Sequence, residues 1–136
     1  MPPEDFVLAG FEDFALAVRR HRLPVERLIS KEVHGTNDPV YGYTTPAQAN
    51  GLVKHLRLRP GVRLLDIGSG RGWPSVHLAK VSGCTAVVTD VPAVGLREAM
   101  RRARRDGVRA AFAKATGMML PFRPRSFDAI VHTDVL

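Results

Sequence analysis

A glycine-rich segment, residues 66–73 (DIGSGRGW), constrains the fold of this chain more than any other feature. This segment, called the glycine loop below, follows an apolar run typical of a buried strand, Arg63–Ile67, and precedes a helical stretch, Pro74–Val81. Glycine lets a ligand approach the backbone where a Cβ would collide, and the N–H groups of a following helix point at that ligand. The pattern predicts a ligand-binding loop after a first strand, with Pro74 at the first helical position.

Strand-like and helix-like segments alternate from residue 62 onward. Strands are predicted at Arg63–Ile67, Thr85–Thr89, Val108–Lys114 and Phe127–His132, and helices at Pro74–Val81 and Pro92–Arg105. Such alternation predicts an α/β fold with a parallel sheet and right-handed crossovers.

The part of the chain before this pattern is predicted to be helical. Two helices are expected within residues 4–34, where apolar side chains recur at helical spacing. A third helix begins at a capping box, Thr45–Gln48, and ends near Leu56. We therefore expect an N-terminal helical segment, residues 1–59, that packs on a core domain, residues 60–136.

The net charge of +7 raises the question of a nucleic-acid partner. The arginine-rich helix Pro92–Arg105 has no interleaved aromatic side chains that could stack on bases, so a solvated helix face is the simpler interpretation. No apolar run is long enough to cross a bilayer, residues 1–10 lack the features of a signal peptide, and the single cysteine, Cys84, cannot form an internal disulfide. We expect a cytoplasmic protein without a nucleic-acid or membrane partner and without a metal site.

The spacing of the glycines distinguishes two classes of cofactor. The dinucleotide fingerprint G-x-G-x-x-G, counted from Gly68, needs a third glycine where Trp73 stands, and this large side chain would obstruct close packing of helix and strand. The observed spacing is G-x-G-x-G, with Asp66 two residues before the first glycine. This arrangement resembles motif I of the class I S-adenosylmethionine-dependent methyltransferases. A structural turn at a strand end is the alternative interpretation.

Two further motifs extend the resemblance over about residues 45–136. Asp90 ends the second predicted strand, where an acid of that family accepts hydrogen bonds from both ribose hydroxyls, a task that suits a carboxylate. Nicotinamide-binding folds place an acid similarly, so Asp90 does not separate the two classes. The stretch Leu120–Leu136 (LPFRPRSFDAIVHTDVL) resembles the segment around the family's fourth strand, a pattern that nicotinamide enzymes lack.

The resemblance also implies which residues bind S-adenosylmethionine. The three glycines of the loop would line its methionine and ribose part, and Asp66 would help to hold the methionine amino group, often through water. Thr116 stands where the family usually has an acid that meets the adenine amino group, and the N–H of Gly117 remains available to the ring. The predicted cofactor-binding residues are Asp66, Gly68, Ser69, Gly70, Gly72, Trp73, Asp90, Thr116 and Gly117.

The family's sheet has seven strands in the order 3-2-1-4-5-7-6, which implies a Rossmann-like sheet of order 3-2-1-4 for the strands seen here. Strands 5 to 7 have no counterpart in this sequence, and strand 4 then forms an apolar edge. Two explanations stay open. The chain is a fragment of a longer methyltransferase, too short to be active alone, or its strand 4 pairs with a second copy in a homo-oligomer.

Catalytic residues are less clearly marked than the cofactor site. Methyl transfer needs mainly proximity and orientation, with a base only if the acceptor loses a proton. His132 and Asp134 follow strand 4, at the edge where open α/β sheets bind ligands, and are the candidates for such a base. Polar groups at a strand end are the simpler interpretation of both.

Three functional hypotheses follow. The first is an S-adenosylmethionine-dependent methyltransferase that acts on a small-molecule acceptor. The second is a non-catalytic module for cofactor binding or oligomerisation, motivated by the missing strands. The third is a NAD-dependent oxidoreductase, which Trp73 and Leu120–Leu136 disfavour.

Overall fold

The computed structural model describes residues 44–133. In chain order its elements are α1 (Pro46–His55), β1 (Arg63–Ile67), α2 (Ser75–Ser82), β2 (Thr85–Asp90), α3 (Ala93–Arg105), β3 (Ala110–Lys114) and β4 (Ala129–Val131). The helices predicted within residues 4–34 lie outside the described residues. Within those residues, none of the helices combines the length and the apolar character needed to span a bilayer.

The four strands form one parallel sheet in the order β3-β2-β1-β4, which confirms the predicted order 3-2-1-4. β1 lies in the interior of the sheet, with Leu65 paired with Val87 of β2 on one side and with Ile130 of β4 on the other. The carboxyl ends of β1 and β2 therefore lie side by side, and the segments that follow them meet at one edge of the sheet.

α1 begins as its capping box predicts. The N–H of Gln48 donates to Thr45 Oγ1 at 3.2 Å, and the N–H of Thr45 donates to Gln48 Oε1 at 2.9 Å. These reciprocal bonds satisfy two backbone donors that a helix start leaves without partners. The helix ends at His55 with Leu56 as its C-cap, close to the predicted end.

β3 and β4 are shorter than predicted. A hydrogen bond at the end of α3 explains the difference for β3, and an aromatic contact in the preceding loop explains it for β4. The N–H of Val108 donates to Ala103 O and completes the end of α3, so β3 begins only at Ala110. Phe127 packs edge-on against Phe122, with ring centroids 5.0 Å apart, and belongs to the loop before β4. The sequence showed the apolar run but not these competing contacts.

Pro74 and Pro92 each lie one position before the helix that they were predicted to begin. Pro74 is the N-cap of α2 rather than its first residue, so that prediction is wrong by one position. The bond from Val76 N–H to Gly72 O continues the turn of the glycine loop into the helix, and α2 starts at Ser75. Pro92 is likewise the N-cap of α3.

One face of the sheet carries the main core. Side chains alternate between faces along a strand, and the paired residues Leu64, Ala86 and Ala129 point to the same face and are buried. The helices add Ala49, Leu78, Ala79, Leu96 and Ala99 to this cluster. On the other face, Ile130 of the edge strand β4 is 55% exposed. The predicted pairing of this edge with a second copy stays a prediction, as does the domain boundary at residue 60.

Candidate functional site

The glycine loop is fastened to the carboxyl end of β2. The N–H groups of Gly68 and Ser69 both donate to Thr89 O at 3.0 Å, and Thr89 Oγ1 donates to Asp66 O at 2.7 Å. The three glycines have φ values of 72°, 56° and 83°, in the left-handed region where other residues are strained. The backbone path of the loop therefore requires the glycines that the sequence supplies.

Asp90 joins the glycine loop to the end of β2. Its Oδ2 accepts from the N–H of Gly70 at 2.6 Å, and its Oδ1 accepts from the N–H of Val91 at 2.7 Å. Burial raises the pKa of this carboxyl above its ordinary value, although both N–H groups lower it. Each carboxylate oxygen keeps a second lone pair, so Asp90 can accept further hydrogen bonds from a ligand.

Asp66 is buried beneath the loop. It is 1% exposed and lies in register with Val88 and Val131, on the sheet face that the helices cover. Its pKa is raised to about 7, chiefly by burial; the Ser75 hydroxyl lowers the pKa, and the charge of Asp90 raises it. Its Oδ2 has no hydrogen-bond partner among the described residues. This buried oxygen therefore retains the capacity to accept a further hydrogen bond.

Trp73 fixes the segment in front of α1. Its ring is 5% exposed, its Nε1–H donates to Thr44 O at 2.8 Å, and its centroid lies 5.1 Å from that of His77. The side chain of Ser69 is also buried, and its Oγ has no partner within residues 44–133. These two predicted site residues therefore support the loop from inside, with little side-chain surface available to a ligand.

The segment after β3 lies at the carboxyl ends of β1 and β2, next to the glycine loop. The N–H of Ala115 donates to Asp90 O at 3.0 Å, and a Cβ on Gly117 would lie 3.1 Å from Ile67 Cγ2. Thr116 O accepts from the N–H of Met119 and closes a turn. The structure thus places Thr116 and Gly117 near Asp90 and the start of the glycine loop.

His132 lies at this edge as well. Its Nδ1 is 3.1 Å from Ile67 O, and because a carbonyl oxygen only accepts, the hydrogen bond requires the proton on Nδ1. In the neutral form of this exposed ring, the lone pair then lies on Nε2. Asp134, the other predicted base, lies outside the described residues. Across residues 44–133, no group of three or more His, Cys, Asp and Glu side chains is arranged to hold a metal ion.

Sequence reasoning missed the contact between the loop and α3. A Cβ on Gly95 would lie 2.6 Å from Gly70 O, and one on Gly72 would lie 2.8 Å from the Cβ of Ala99. Arg71 Nε lies 3.3 Å from Glu98 Oε2. Gly95 gave one usable signal, because an isolated glycine within a helical pattern often marks a close packing contact.

Comparisons with known proteins agree with this geometry. A family model described as a methyltransferase domain matches residues 64–136. Botryococcene C-methyltransferase of Botryococcus braunii is 32% identical over 85 residues, which cover 61% of this chain and 22% of that protein. Ribosomal protein L11 methyltransferase of Thermus thermophilus is 36% identical over 89 residues, which cover 65% and 33%. The chain thus spans about a third or less of the length of the curated relatives it matches.

A solved structure shows the same fold. The S-adenosylmethionine-dependent methyltransferase from Geobacter sulfurreducens, in complex with S-adenosyl-L-homocysteine, aligns with a TM-score of 0.52 and 29% identity. The alignment covers 68% of this chain and 36% of that one. The Rossmann-like arrangement of the sheet is therefore shared with a protein that binds the demethylated cofactor.

Proposed function

The chain belongs to the methyltransferase family whose domain model matches residues 64–136, and from this membership we propose that it binds S-adenosylmethionine and methylates a small-molecule acceptor. The observation that carries the proposal is the bond from Gly70 N–H to Asp90, which places a carboxylate against a loop of left-handed glycines. Botryococcene C-methyltransferase, one of the matched relatives, is named for a small-molecule acceptor.

The residues at the sheet edge fit such a cofactor. A Cβ built on Gly70 meets no atom within 4 Å, so the space beside this glycine is open, and a side chain would occupy it. In the proposal, Asp90 accepts hydrogen bonds from the ribose hydroxyls with its remaining lone pairs. Thr116 and the N–H of Gly117 meet the adenine, and Asp66 acts on the methionine amino group through a water.

On the acceptor side, we propose His132 as the proton acceptor. When bound, the cofactor supplies an electrophilic methyl group, so a nucleophile with an O–H or N–H must lose its proton during transfer. The bond from His132 Nδ1 to Ile67 O holds the ring beside the glycine loop, and in the neutral ring it leaves the lone pair on Nε2. This arrangement fits the need for a base, which contributes typically 10²- to 10⁴-fold to a rate.

Calorimetric titration of the purified chain with S-adenosylmethionine, S-adenosylhomocysteine and NAD tests the cofactor. We expect both adenosyl compounds to bind. Asp90→Ala should lower the affinity for each of them at least tenfold, because a hydrogen bond to a charged group contributes about 1.5–3 kcal/mol. Asp128→Ala is the matched control. Its carboxylate also accepts from a backbone N–H, that of Arg63 at 2.8 Å, but this bond lies at the amino end of β1, away from the glycine loop.

Binding of NAD alone would refute the proposal. An equal loss of affinity in Asp90→Ala and Asp128→Ala would remove the ribose role of Asp90. If the adenosyl compounds bind but no S-adenosylhomocysteine forms with any acceptor in a panel of small alcohols, phenols and amines, the non-catalytic module becomes the better description. His132→Asn should lower turnover without changing cofactor affinity.

A further inference from the structure

Three consecutive residues of the glycine loop rest on one face of α3. Gly70 lies against Gly95, Arg71 pairs with Glu98, and Gly72 lies against Ala99. The α3 residues follow the spacing i, i+3, i+4, which places them on one side of a helix. The contact is therefore a continuous surface that follows the loop residue by residue.

The ion pair within this surface is buried. The side chains of Arg71 and Glu98 are 8% and 14% exposed, whereas the pairs Arg63–Asp128 and Lys80–Asp106 each include a basic side chain that is 57% or 49% exposed. Removing two charges from water is costly, and their attraction offsets that cost only when the geometry is good. Such a pair therefore contributes little to the free energy of unfolding. Its better explanation is that it fixes the position of the glycine loop relative to α3.

The backbone of the glycine loop is flexible enough to require a contact that fixes it. Gly70 and Gly72 flank Arg71, and glycine has the largest freedom to lose when a backbone is fixed. The N–H of Gly70 is also the donor that holds Asp90 Oδ2. A displacement of Arg71 would move this N–H and the carboxylate that it orients.

We propose that Arg71 and Glu98 are positioning residues, which hold the glycine loop in the shape that binds the adenosyl cofactor by tying it to α3. This inference rests on the proposed cofactor site. Neither side chain needs to touch the cofactor, since the pair acts through the backbone of Gly70 and Gly72. It follows that cofactor affinity depends on a carboxylate in a helix that the sequence motifs do not include.

The test uses Glu98→Gln, which keeps shape and removes charge, Arg71→Met, which removes the cation, and Arg71→Lys, which retains it. Arg63→Met is the control, because it breaks the exposed Arg63–Asp128 pair. Two quantities are measured at a temperature where all variants are folded. They are the dissociation constant for S-adenosylhomocysteine and amide hydrogen exchange in the unliganded protein.

For Glu98→Gln and Arg71→Met we expect exchange at the Gly70 and Gly72 amides to rise at least tenfold and affinity to fall at least tenfold. Exchange at Val87 in β2 should stay within threefold of the wild type. Arg71→Lys should recover part of both losses, and Arg63→Met should change neither. Equal acceleration in the loop and in β2 would show that the pair only stabilises the fold, and would overturn the inference.

The two proposals fail in different ways. If the wild-type chain binds no adenosyl compound, the proposed function is refuted, while exchange at Gly70 and Gly72 still decides whether the pair holds the loop. If the wild type binds and the Glu98→Gln variant binds equally well, the positioning role is refuted and the cofactor site stands.

Discussion

Replacing Asp66 by Asn should remove a pH dependence of stability that its burial creates. The pKa of this carboxyl rises from 3.8 in the unfolded reference to about 7 in the folded chain, chiefly through burial at 1% exposure. Between these values the folded protein binds the proton more tightly than the unfolded chain, so this group favours folding at low pH and loses that contribution as pH rises through about 7. At about 1.4 kcal/mol per pKa unit, roughly 3 kcal/mol is lost between pH 5 and pH 8.

The measurement is urea denaturation of the wild type and of Asp66→Asn at intervals from pH 5 to pH 8, followed by the fluorescence of the single tryptophan. Other titrating groups are common to both proteins, so the difference between their free energies of unfolding isolates Asp66. From pH 5 to pH 8, the free energy of unfolding of the variant should rise by about 3 kcal/mol relative to that of the wild type. Parallel pH profiles would show that the carboxyl titrates normally in the folded protein.

Two further changes test the packing around the site. Trp73→Phe removes the donor of the 2.8 Å bond to the buried Thr44 carbonyl and should cost about 1–3 kcal/mol, measured by urea denaturation with circular dichroism; an unchanged midpoint would mean that this bond contributes nothing. Gly83→Ala places a Cβ at φ 76°, 3.0 Å from Pro60 Cγ, and should cost about 1–2 kcal/mol in the same assay, whereas a more stable variant would contradict the left-handed cap of α2.

The elements that the sequence predicted well are those specified by neighbours in the chain. The capping box of α1 and the apolar run of β1 are local signals, and both are confirmed with their bounds close to those predicted. The strand order came from the family resemblance and is confirmed as well. The sequence predicts glycine in the loop because a ligand approaches closely there, and the left-handed backbone of these glycines is a further requirement that the structure adds.

The features that the sequence did not predict depend on partners far along the chain. The burial of Asp66 follows from its register with β2 and β4, the position of the His132 ring from its bond to Ile67 O, and the link from Arg71 to α3 from the contact of the glycine loop with that helix. None of these partners is near its counterpart in sequence. Propensity and periodicity describe what each segment forms, while the contacts between segments decide how side chains in the site are held.

The contact between the glycine loop and α3 also bears on protein engineering. A loop shaped by its own glycines could be grafted onto any strand–helix junction. Here, Gly95, Glu98 and Ala99 complete the surface on which residues 70–72 lie. A helix from another protein would bring a Cβ against Gly70 O if it lacked a glycine at position 95, and would remove the carboxylate that pairs with Arg71 if it lacked an acid at position 98. The glycine loop and α3 therefore have to be transplanted together.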